Sequence, residues 1–110
     1  MLHVSRWERR DGADWETLVA AASAWCDAVA ASDASVHDAR LYSDEGQSIV
    51  VVVDTDSLDA VVGDVDHDVV RARTRLAQLA RSGGTETWFP LAPSQAGVPA
   101  RTLRETLDLA

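Results

Sequence analysis

Residues 2–9 (LHVSRWER) place apolar side chains on both parities, Leu2 and Val4 on one and Trp7 on the other, with no breaker before Asp11-Gly12. That pattern predicts a strand covered on both faces. From Trp15 the period changes. Trp15, Leu18, Val19, Ala22, Trp25, Cys26 and Val29 recur at spacings of three and one, a single helical stripe fading through Ala31-Ser32-Asp33. Asp11, Gly12 and Asp14 precede it, and carboxylates suit the positive end of a helix dipole.

Residues 36–43 (VHDARLYS) predict a second strand, polar enough to sit at a sheet edge, followed by a turn at Ser43-Asp44-Glu45-Gly46. Ser48 to Val53 then brings five β-branched residues in succession, the pattern of a central strand buried on both sides. Thr55-Asp56-Ser57 caps a second helical stripe running through Leu58, Val61, Val62, Val65, Val69, Ala72, Leu76 and Leu79, with a kink or break expected near Gly63-Asp64. Arg71, Arg73, Arg75 and Arg81 load its later half, and Ser82-Gly83-Gly84 is read as its end. Residues 85–89 (TETWF) form a fourth strand stopped by Pro90. Residues 1–91 are thus read as one domain. A linker with Pro93, Gly97 and Pro99 leads to a short C-terminal helix with a capping box at Thr102 and Glu105, so residues 92–110 form a tail.

Composition narrows the classes. All ten cationic side chains are Arg, against 18 carboxylates, for a net charge of −8. Such a surface cannot replace the counterions of a nucleic acid. No run is long enough to span a membrane, and no secretion signal opens the chain, so a cytoplasmic protein is expected. A single cysteine, Cys26, excludes an internal disulfide and a cysteine-built zinc site. The excess of Asp over Glu, without Lys, fits a protein working in concentrated salt, a halophilic reading; GC-rich coding would explain the Arg and Ala alone. The interior is built largely from Ala and Val, which bury little area each, so a homodimer is expected to supply the remainder.

The order β-α-β-β-α-β defines an α+β, ferredoxin-like antiparallel sheet with helices on one face. Its usual strand order puts the first and third strands in the middle, which are the two that read as doubly covered. A second subunit on the free face would close a dimeric α+β barrel. In this the chain resembles the dimeric α+β barrel superfamily, which includes antibiotic-biosynthesis monooxygenase-like and heme-degrading proteins. The resemblance covers residues 2–91 and implies a pocket between sheet and helices. It also implies, as for many members, oxidation of small aromatic substrates with no bound cofactor. The heme-degrading members use an Asn, a Trp and a helix-borne His. This chain has no Asn, and His67 with one Trp are its only counterparts.

Candidate chemistry falls on few residues. His3 shares one side of the first strand with Trp7, and Trp88 lies on the strand expected beside it. A pocket walled by Trp7 and Trp88, with His3 as proton acceptor, would take a planar apolar ligand. The competing account has both indoles filling the subunit interface. Arg40 and Tyr42 share a face of the second strand and are further ligand-binding candidates. Asp64, His67 and Asp68 fall on one helix face, where they could hold a metal or His67 could act as base or axial donor; a solvated helix face is the favoured reading. Trp15, Trp25 and Cys26 read as core, and no metal site is expected. The function expected is a small-molecule-pocket protein, with a cofactor-independent monooxygenase acting on an aromatic or enolisable metabolite as its enzymatic form. The alternative is a non-catalytic dimeric binding or regulatory module, and heme binding through His67 is a third reading.

Overall fold

The computed structural model describes residues 1–63 and 66–91. The chain runs β1 (Leu2–Arg9), α1 (Trp15–Ser32), β2 (Val36–Ser43), β3 (Ser48–Thr55), α2 (Asp59–Val62), α3 (His67–Leu79) and β4 (Ala80–Trp88). The four strands form one antiparallel sheet in the order β2-β3-β1-β4. As the hydrophobic pattern predicts, β1 and β3 are central and β2 is an edge. The expected linker beyond Leu91 and the helix from Thr102 lie outside the described residues.

The parity of each strand fixes which side chains meet the helices. On β3, Ile49, Val51, Val53 and Thr55 are buried against the helices, whereas Val50, Val52 and Asp54 point the other way and are half-buried. On β1 the buried set is His3, Ser5 and Trp7. Of these, Trp7 joins Leu18, Ala22, Trp25, Cys26 and Val29 of α1, with Val69 and Leu76 of α3, in one apolar core. The helices therefore cover a single face. In one chain, the double coverage expected for β3 is met on one side only; the outward row is shielded by neighbouring strands.

Local capping explains where the helices begin. Asp14 accepts from the Thr17 amide at 2.9 Å and from the Thr17 hydroxyl at 2.8 Å, holding the first turn of α1. Asp66 accepts from the amides of Asp68 and Val69 and so starts α3. The second helical stripe is therefore two helices. Gly63 leaves α2 in extended backbone (φ −71°, ψ 160°), and its amide closes α2 on the Asp59 carbonyl.

The end of α3 departs from the sequence reading. Ser82-Gly83-Gly84 does not terminate the helix but lies inside β4, which starts five residues earlier than expected, and Arg81 belongs to the strand. Arg6 pairs with Gly84 and Trp7 with Ser82, leaving Gly83 as the extra residue of a β-bulge. Gly84 takes φ +116° there, a conformation that side chains disfavour. The glycines thus serve a bulge. Arg10 takes over the stop signal, its amide donating to Leu79 O and its Nε to Ala77 O, so a cation sits on the last turn of α3.

Candidate functional site

Two faces of one sheet divide the candidate residues. His3, Ser5 and Trp7 project from β1 into the space under the helices. The Trp7 Nε1–H donates to Ser5 Oγ at 3.1 Å, and its ring meets Trp25 edge-on, with centroids 5.8 Å apart at 77°. His3 is 5 % exposed, and its Nδ1 is buried without a hydrogen-bond partner among the described residues. Burial pushes the imidazole below its ordinary pKa, since a low dielectric penalises the cation. Burial thus disfavours the charged form of His3. Trp25 Nε1, a donor, is a second buried polar atom without a partner among the described residues. Orphaned polar atoms in an interior are rare, and two of them here mark the helix-side space as the polar part of the core.

The remaining candidates stand on the open face. Arg40 and Tyr42 lie opposite Val52 and Val50, and Trp88 lies opposite Leu2. Leu2 alternates with His3, so Trp88 and Trp7 occupy opposite faces and opposite ends of β1. The pocket expected between these two indoles does not form, because the β1–β4 register assigns Trp88 to the outward row. Trp88 is 58 % exposed, its Nε1–H donating to Glu86. Arg40 is bound to Asp38 on its own strand, which with Tyr42 raises the guanidinium pKa.

A groove of about 280 Å³ runs between Arg40, Tyr42, Val52, Asp54 and Leu2, and a neighbouring hollow of about 240 Å³ is lined by Met1, Trp88 and Phe89. Leu2 and Asp54 border both. Sequence reading passed over Asp54, although its parity with Val50 and Val52 would have placed it on this face.

His67 lies apart from both sets, exposed in the first turn of α3. Asp66 beside it is committed to capping, and among the described residues no cluster of three or more His, Cys, Asp or Glu could hold a metal ion. His37 is exposed and pairs with Asp56 at 2.9 Å. Cys26 is buried, and its thiol is pushed up to about 11 by burial, which makes it a poor nucleophile. Trp25 packs in the core as its spacing predicts.

Together, a ferredoxin-like sheet, helices on one side and an uncovered opposite face define the class of fold. No protein-family profile and no curated protein matches the chain. Solved structures do. SnoaB, a cofactor-independent oxygenase from Streptomyces nogalater, aligns with a TM-score of 0.66 at 16 % identity, over 84 % of this chain and 95 % of its own. Rv0793 from Mycobacterium tuberculosis aligns at 0.65 and 20 % identity, over 82 % and 93 %. A dimeric protein of unknown function and ferredoxin-like fold from Bacteroides fragilis aligns at 0.57 and 16 %, over 79 % and 94 %. The chain thus shares a ferredoxin-like fold with these structures. No helix among the described residues is long and apolar enough to cross a membrane.

Proposed function

We propose that this chain is a small-molecule-pocket protein that works as a dimer, and that its chemistry is cofactor-free oxidation of an enolisable aromatic compound. His3 carries the reading. A buried imidazole whose cation is disfavoured, with a ring nitrogen unpartnered among the described residues, can accept a proton from an acidic C–H or O–H of a ligand entering beneath the helices. Proton removal leaves an electron-rich anion able to react directly with oxygen. For an anthrone the overall change is anthrone plus O2 to anthraquinone plus water. The likeness to a cofactor-independent oxygenase supports the class of reaction. Trp7 and Trp25 provide the aromatic wall, and the open face of the sheet joins the two subunits.

The test is oxygen consumption with a panel of anthrones and quinols, using the wild type and His3→Gln. Turnover lost in His3→Gln and kept in His67→Ala supports the proposal. Silence across the panel, with the fold intact by circular dichroism, overturns the catalytic reading. The non-catalytic module then stands in its place, favoured by one observation: Trp7 is already satisfied by Ser5 and Trp25, as in a filled interior.

A further inference from the structure

The open face carries a charge pattern that its apolar content does not explain. Leu2, Val4, Val50 and Val52 form its centre, with Tyr42 and Trp88 outside them. Around them Arg6 lies 3.8 Å from Glu86, Arg40 binds Asp38, and Glu8 faces Arg81 across the β1–β4 ladder. Asp54 has no such arrangement. It is half-buried on a central strand, opposite Leu2 on one side and Asp38 on the other. Among the described residues its carboxylate has no ion pair or side-chain hydrogen bond, and the Met1 ammonium, which borders the same hollow, donates to Thr55 O.

We infer that the open face docks a second copy of this chain in a salt-gated manner, with Asp54 as the gate. The inference rests on the dimer reading above and adds its control. Strands of about eight residues, at ~3.3 Å each, and four strands at ~4.8 Å spacing give a flat footprint of ~500 Å² before side-chain relief. That is the scale of a stable interface, roughly 800 Å² of accessible surface per partner. Its apolar centre favours association. Two terms oppose it: each copy carries a net charge of −8, and docking strips water from an unpaired Asp54 beside a second carboxylate. Salt weakens the repulsion, because the Debye length falls from about 10 Å at 0.1 M to about 3 Å at 1 M. Association should therefore be weak in dilute buffer and firm in concentrated salt.

Sedimentation equilibrium of the full chain in KCl, from about 0.05 M to about 2 M and wherever circular dichroism shows native helix content, tests this. The expected dissociation constant falls at least about ten-fold across that range. Asp54→Asn, with Asp54→Ser as a second variant, should tighten the low-salt dimer about ten-fold and flatten the salt dependence. Asp11→Asn, an equal change of net charge in the exposed β1–α1 turn, should shift it less than about two-fold. A wild-type dimer indifferent to salt, or equal effects from the Asp11 and Asp54 variants, overturns the gate while leaving the dimer standing. A monomer throughout, in wild type and variants alike, overturns gate and dimer together.

Discussion

Trp7 and Trp88 lie on adjacent strands yet on opposite faces of the sheet, because the β1–β4 ladder pairs Trp88 with Leu2. Their energetic roles should differ accordingly. Trp7→Ala removes the edge-on partner of Trp25 and strands the Ser5 hydroxyl in the core, and should cost about 3–5 kcal/mol in urea unfolding. Trp88→Ala, measured at concentrations low enough to keep the chain monomeric, should stay within about 0.5 kcal/mol of wild type.

The buried His3 predicts a pH dependence with a definite sign. Its folded-state pKa lies below the ordinary 6.5, so below that pH the unfolded chain binds the proton more readily than the native one. Stability is complete above about 6.5 and declines as the pH falls through the lowered folded value. His3→Gln should remove that part of the slope, seen as the difference between the two stability curves.

The break between α2 and α3 depends on a missing side chain. A Cβ at Gly63 would stand 2.4 Å from the Asp59 carbonyl oxygen, an approach the rigid backbone of α2 cannot relieve cheaply. Gly63→Ala should therefore destabilise by about 1–3 kcal/mol in thermal unfolding. Asp66→Ala, which removes the cap of α3, should cost about 1 kcal/mol. The two effects are close enough in space to couple, so the double variant need not show their sum.

Cys26 should be nearly silent toward thiol reagents in the native protein. Its thiol is both buried and shifted up to about 11, so little thiolate exists near neutral pH. Labelling should track global unfolding in urea. Rapid labelling of the folded chain would contradict the burial.

Element order, the two central strands and the first helical stripe are legible in the sequence because each rests on a periodicity, and periodicity survives folding unchanged. Leu18, Trp25 and Val29 are core for that reason alone. The fourth strand was harder to read. Gly83 and Gly84 are equally at home at a helix end or in a bulge, and only the pairing with Arg6 and Trp7 decides between them. The site failed in the same way. A one-residue shift in register exchanges the faces of a strand, so whether Trp88 joins Trp7 depends on a ladder between distant segments. Likewise, nothing local announces that His3 Nδ1 lacks a partner among the described residues, since this depends on how distant segments pack over β1.

The placement of β1 between β3 and β4 has a kinetic consequence. Both of its ladders are long-range, Glu8 meeting Ser48 on one side and Leu2 meeting Trp88 on the other. Among the described strands, only β2 and β3 form a hairpin from neighbouring sequence. During synthesis β1 thus has no described lateral partner until β3 follows, and its second side stays unpaired until β4 is made. Among the described strands, the one that bears His3 and Trp7 is therefore made before both of its partners and is enclosed only when β4 follows.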